Sequence, residues 1–138
     1  MRKELSIKNE ISELERVAQF VEEIGEELAL DMELQMNLNL VLEEMISNII
    51  YYSHPEAGKE GIDLVAECDG KCLTLILSDQ GREFDPTLND YAQPDVDPME
   101  RELGGMGIFI VKNIMNHVTY QRLDGKNKLT MIKDIHQD

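Results

Sequence analysis

Residues 61–79, GIDLVAECDGKCLTLILSD, alternate apolar and polar side chains on both sides of a central Asp69-Gly70. No other stretch restricts the fold as strongly, because such alternation reads as two half-buried strands with Asp-Gly as the hairpin turn between them. A two-residue turn would pair Cys68 with Lys71, and Ala66, Leu64 and Ile62 with Leu73, Leu75 and Leu77. That register gathers six apolar side chains on one face, whereas a one-residue slip would set them against Thr74, Ile76 and Ser78. The chain then needs a second layer to cover that face. The same register puts Cys68 and Cys72 on opposite faces, which argues against a disulfide; with no Cys or His cluster nearby, it also argues against zinc. Asp79 shares the parity of Leu73, Leu75 and Leu77, so its carboxylate points from the strand end toward the covering layer. Such burial is costly unless the carboxylate accepts strong hydrogen bonds. Gly81, two residues on, allows a close approach to the backbone.

The covering layer is legible as helices. Asn9 is placed to cap a helix over 10–29, with Ile11, Leu14, Val17, Ala18, Val21, Ile24 and Leu28 at helical spacing. Asp31 is placed to cap a second, 32–53, and an apolar helix is expected over 107–117. Residues 2–8 read as a short edge strand, and 118–123 and 128–135 as a hairpin joined through Asp124-Gly125. Between them, residues 82–103 hold three prolines and seven acidic residues without periodicity, a composition expected of a lid over about 86–103. The whole reads as one α+β domain, a two-layer sandwich with a mixed, mainly antiparallel sheet and its helices on one face.

The 28 acidic and 13 basic residues leave a formal net charge of −15, which argues against nucleic acid binding by bulk electrostatics. No signal peptide and no apolar run of about 20 residues is present, so a cytoplasmic protein without a membrane partner is expected. An anionic ligand would need local donors, a helix N-terminus or a metal ion. Two further places supply them. On the second helix, about 80° and 120° from the centre of the apolar stripe at Leu38, Asn48 and Glu44 stand one turn apart at the border of the core. They offer a neutral oxygen ligand for Mg²⁺ and a proton acceptor, while Glu43 falls on the solvent side. Gly104, Gly105 and Gly107 then expose backbone N–H groups at the start of an apolar helix whose dipole favours anions, with Lys112 one turn beyond them as a candidate cation.

The order and spacing of these pieces resemble a known superfamily. Glu44-x-x-x-Asn48, Asp79-x-Gly81 leading into Phe84-Asp85-Pro86, and ERELGGMGIFIVKNIM from Glu100 are similar to the N, G1 and G2 boxes of the GHKL ATPases. Within that superfamily the likeness is to the stand-alone bacterial anti-sigma factor serine/threonine kinases, and it runs over residues 5–135. The resemblance implies the histidine-kinase-like ATPase fold, ATP and Mg²⁺ as ligands, and roles residue by residue. Asp79 would accept from the adenine amino group, Gly81 would admit the base, and Thr130 would sit near the adenine with Asp79. Asn48 would coordinate Mg²⁺ and Glu44 would act as general base. Gly104, Gly105 and Gly107 would wrap the phosphates beneath the lid, helped by Lys112 and Arg101. The chain departs from the pattern at Glu83, where many relatives carry Gly or Pro, and at Tyr51, where many carry a basic residue.

The resemblance also implies partners: a sigma factor, the antagonist protein that would be phosphorylated, and a second copy of the chain in a homodimer. Two alternatives stand beside the kinase. One is a non-catalytic ATP-binding module whose nucleotide sets partner choice. The other is the detached catalytic domain of a sensor histidine kinase, against which the first helix, which carries no histidine, argues.

Overall fold

The structure, a computed structural model, describes residues 1–53, 61–88 and 104–135. Its elements are β1 (Arg2–Lys8), α1 (Leu14–Glu27), α2 (Met32–Asn48), β2 (Gly61–Cys68), β3 (Cys72–Asp79), α3 (Gly104–Ile114), β4 (His117–Leu123) and β5 (Lys126–Asp134). The strands form one sheet in the order β1-β2-β3-β5-β4, and every neighbouring pair runs antiparallel. Ile62, Leu64, Ala66, Leu73, Leu75, Leu77, Leu129 and Met131 line one face and share a single core with residues of all three helices. This is the expected two-layer α+β sandwich.

The two hairpins show what an Asp-Gly pair does and does not dictate. At Asp124-Gly125 both residues have positive φ, 52° and 77°, and Leu123 pairs directly with Lys126, as a two-residue turn requires. At Asp69-Gly70 only Gly70 does, with φ 96°. Asp69 instead spends its carboxylate on the amides of Lys71 and Cys72, each 2.8 Å from Oδ1, and that local turn lengthens the loop. Cys68 therefore pairs with Leu73 rather than with Lys71, and Ala66, Leu64 and Ile62 pair with Leu75, Leu77 and Asp79. The register moves by two residues, so the inward face keeps all six expected side chains. Cys68 packs against the core, while Cys72 lies on the other face, with its thiol donating to Asp134.

The helix starts differ from expectation in one case of two. Asp31 caps α2 with Oδ1 2.8 Å from the Leu34 amide. Asn9 does not cap α1: it is buried at the corner after β1, and Glu10 takes the N-cap place of a short 3₁₀ turn, Ile11–Glu13. On α1 the buried stripe runs through Val17, Phe20, Val21, Ile24 and Leu28, leaving Ala18 exposed. The edge strand β1 turns Lys3 inward, where its ammonium lies 3.7 Å from Glu23 and Glu27 of α1; a charge so placed blunts an open edge.

α3 begins three residues earlier than expected, so the glycines form its first turn instead of preceding it. Ile108, Val111 and Met115 are buried, but Phe109 is 54% exposed, because α3 packs on α2 with one face only. The lid expected over 86–103 is described only at its start, where Pro86–Leu88 form a 3₁₀ turn held by Asp85, which accepts from the amide and hydroxyl of Thr87. The remainder, with Arg101, lies outside the described residues.

Candidate functional site

α2 does not run straight to residue 53. It ends at Asn48 and widens into a π-helical turn, Ile49–Ser53, a geometry that recurs at functional sites. The wider turn changes the helical phase. Tyr52 is only half-buried and stacks on Phe84 with ring centroids 5.2 Å apart, while Ser53 turns fully inward. Ser53 thereby meets the end of β3. Its hydroxyl donates to Asp79 Oδ1 at 2.5 Å, and Gly81 N donates to the same oxygen at 2.9 Å.

Asp79 is 3% exposed, as its parity predicts, and it has the strong donors that burial demands. The third comes from Asn127 at the start of β5, whose Nδ2 lies 3.0 Å from Asp79 Oδ1. Asn127 stands directly opposite Asp79 in the β3–β5 ladder. Thr130 does not join them. It pairs with Ile76 and Thr119 on the outer face, because a strand alternates faces and Thr130 has the opposite parity to Asn127, Leu129 and Met131. No local signal marks Asn127 in the sequence; only the pairing of β3 with β5 reveals it.

Gly81 admits something close, as expected, but what approaches is the chain itself. A Cβ there would lie 2.8 Å from the carbonyl carbon of Ser53 and nearer still to its oxygens. Gly81→Ala should therefore push the π turn off the strand end and destabilise the fold by about 1–3 kcal/mol. A fall in the urea midpoint measures it, and an unchanged midpoint would show that the contact carries no strain.

Met45, Asn48, Ile49, Leu77, Asp79, Phe84, Pro86, Tyr120, Asn127 and Leu129 enclose, with Ser53, a cavity of about 20 Å³, room for a single water. Asn48 is 1% exposed, and neither its Oδ1 nor its Nδ2 has a hydrogen-bond partner among the described residues. Each such group costs about 1–3 kcal/mol, a cost tolerated where a ligand completes the bonds. An oxygen of this kind suits Mg²⁺, which takes one or two protein oxygens and keeps the rest for phosphates and water. No group of three His, Cys, Asp or Glu side chains among the described residues offers an alternative metal site.

One turn earlier on α2, Glu44 leans on α3. Its Oε2 lies 2.8 Å from where a Cβ on Gly107 would stand, so the buried glycine makes room for the carboxylate at the first turn of the helix. Burial, and secondarily the charge of Glu43, raise the Glu44 carboxyl above the usual range. Glu43 itself is half-buried, not fully on the solvent side. Gly104 and Gly105 open α3 beside Gly107. Lys112, exposed, reaches back with Nζ 3.3 Å from Thr87 O, tying α3 to the start of the lid segment and not to the cavity. The structure thus brings Asn48 and Asp79 together in the cavity and Glu44 together with Gly107, and it leaves Thr130 on the far side of the sheet.

A family model for the histidine kinase-like ATPase domain matches residues 7–133. The chain belongs to the histidine kinase-like ATPase domain family. This member is similar to the serine/threonine-protein kinase BtrW of Bordetella bronchiseptica, at 29% identity over 103 residues, covering 71% of this chain and 69% of that protein. Its fold is similar to part of the blue-light activated histidine kinase of Erythrobacter litoralis EL346, with a TM-score of 0.56 at 17% identity. That match covers 78% of this chain and 32% of that one. A second match, to the histidine kinase domain of the same protein, has a TM-score of 0.53 at 16% identity and covers 92% and 61%. The chain spans only about a third and three fifths of these two structures. The GHKL resemblance read from the three boxes holds, and with it the coarse function of a kinase-like, ATP-binding domain. No helix among the described residues is long and apolar enough to cross a membrane.

Proposed function

We propose that this domain is an ATP-dependent protein serine/threonine kinase of the anti-sigma type, which holds a sigma factor and phosphorylates the antagonist protein that competes for it. The observation that carries the nucleotide chemistry is Asn48, buried with an unsatisfied carboxamide, one turn from a carboxyl whose proton affinity is raised. The likeness to the serine/threonine-protein kinase BtrW supports serine or threonine as the acceptor.

In this reading Asp79 binds the adenine amino group and Asn48 Oδ1 holds Mg²⁺. When bound, the ion supplies positive charge to the phosphates. The first turn of α3 receives them with its free N–H groups. Glu44 takes the proton of the acceptor hydroxyl as that oxygen bonds to the γ-phosphorus and the bridging oxygen leaves with ADP. Positioning and electrostatics supply the rest. An adenine ring needs more room than the cavity holds, so one wall must give. The walls from α2 and the sheet are packed in the core, whereas Phe84 and Pro86 belong to the loop after β3, and this is the wall that moves.

The test is transfer of labelled phosphate from ATP to proteins co-purified with the tagged chain, with and without Mg²⁺. Label should appear on serine or threonine of a small partner protein only when Mg²⁺ is present. If the chain binds ATP but labels no partner, the kinase reading fails and a nucleotide-gated binding module takes its place.

A further inference from the structure

We propose that Asn127 is the positioning residue that sets the base specificity of the site, by holding the Asp79 carboxylate in the orientation that accepts from a 6-amino purine. The inference rests on the adenine contact proposed for Asp79 and adds a residue to it.

Asn127 is 5% exposed and lines the cavity. Its Nδ2 donates toward Asp79 Oδ1 at 3.0 Å, Ser53 Oγ at 2.9 Å and Arg82 O at 2.8 Å. Its Oδ1 accepts from the Tyr120 hydroxyl at 2.6 Å, Arg122 Nη1 at 3.1 Å and Phe84 N at 3.2 Å. The amide can point only one way. Turned over, its oxygen would face Asp79 Oδ1 and Arg82 O, and its NH₂ would face Arg122 Nη1 and the Phe84 amide. Burial keeps the Tyr120 phenol above its ordinary range, so it remains a donor to Oδ1.

Two features make this more than a brace. The donors that meet Asp79 Oδ1 are Gly81 N, Ser53 Oγ and Asn127 Nδ2, and Ser53 is itself held by Asn127. Asn127 therefore bears on two of these three bonds to Oδ1, its own and that of Ser53. It also ties the Arg82–Phe84 segment, which includes part of the wall that admits the base, to the same point. A carboxamide suits this place because it carries donor and acceptor on one short side chain; an aspartate would turn an oxygen toward Asp79.

The test compares ADP with IDP, whose 6-oxo group presents an acceptor where ADP presents a donor, by calorimetric titration of wild type, Asn127→Ser and Asn127→Asp. Wild type should prefer ADP. In both variants that preference should fall by about tenfold or more, the scale of a charge-assisted hydrogen bond, with IDP affinity held within about threefold. Ser53→Ala, which leaves Asn127 in place, should keep most of the preference and gives a readout even if the Asn127 variants melt without cooperativity. An unchanged preference in Asn127→Ser, a proportional loss of both nucleotides, or a full loss of preference in Ser53→Ala overturns the proposal. Wild type showing no preference for ADP overturns the adenine contact of Asp79 itself, before any variant is considered.

Discussion

Glu44→Ala should leave ADP affinity within about threefold of wild type while lowering phosphoryl transfer by about 10²–10⁴-fold, the usual contribution of a general base. The separation follows from where Glu44 stands. Its carboxylate is seated against Gly107 at the start of α3, outside the cavity that holds Asp79 and Asn48. Burial, then Glu43, raises its carboxyl above the ordinary range. The protonated form cannot accept a proton, so transfer should rise with pH along an acidic limb that lies above that of an ordinary carboxylate. Glu43→Ala removes a like charge, so it should move that limb to lower pH and leave nucleotide affinity unchanged. Asn48→Ala, by contrast, should lose affinity in the presence of Mg²⁺ as well as rate. The measurements are labelled-phosphate transfer and ADP titration on the three variants across pH. A Glu44→Ala protein that transfers at the wild-type rate would remove Glu44 from the chemistry.

Asp79→Asn should weaken ADP binding by roughly 1.5–3 kcal/mol, the value of a charge-assisted hydrogen bond, without unfolding the protein. Ser53, Gly81 and Asn127 all meet Oδ1, an oxygen that asparagine also carries. The fold's demand on that atom is therefore met by the substitution. The substitution also turns the other carboxylate oxygen into an NH₂, which repels a 6-amino group. Calorimetric titration with ADP, beside a thermal melt, separates the two effects. Unchanged affinity would remove Asp79 from the base contact, and loss of the cooperative melt would show that the charge itself holds the strand end together.

Much of the site was legible because it follows from periodicity. Two-residue alternation along β3 puts Asp79 inside whatever register the hairpin adopts, and the error of two residues at Asp69-Gly70 left that conclusion intact. The 3.6-residue period of α2 puts Asn48 and Glu44 one turn apart at the core border; Glu44 stands there half-buried, while Asn48 lies deeper, 1% exposed. What periodicity cannot supply is the pairing of strands far apart in the chain. Thr130 was assigned beside Asp79 by resemblance, yet it belongs to the outer face, and Asn127 occupies the place opposite Asp79. Alternation with Leu129 and Met131 already sets Thr130 on the other face, but only the β3–β5 register sets Asn127 opposite Asp79, and that depends on how both strands pack beneath the helices.

The glycines divide along the same line. That Gly81 and Gly107 mark close approaches is written in the sequence, because glycine is otherwise a costly choice. What does the approaching is decided by tertiary structure: Ser53 at one, the Glu44 carboxylate at the other. The widening of α2 after Asn48 is of the same kind. Nothing in IIYYS opposes a regular α-helix; the turn widens where Ser53 can reach Asp79 and Tyr52 can stack on Phe84. Sequence by itself determined the layers, the inward faces and the identity of the chemical groups, since these depend on local periods and side-chain type. Only the tertiary structure decided which of those groups meet, because a contact between residues 53, 79 and 127 exists only once the sheet has closed beneath the helices.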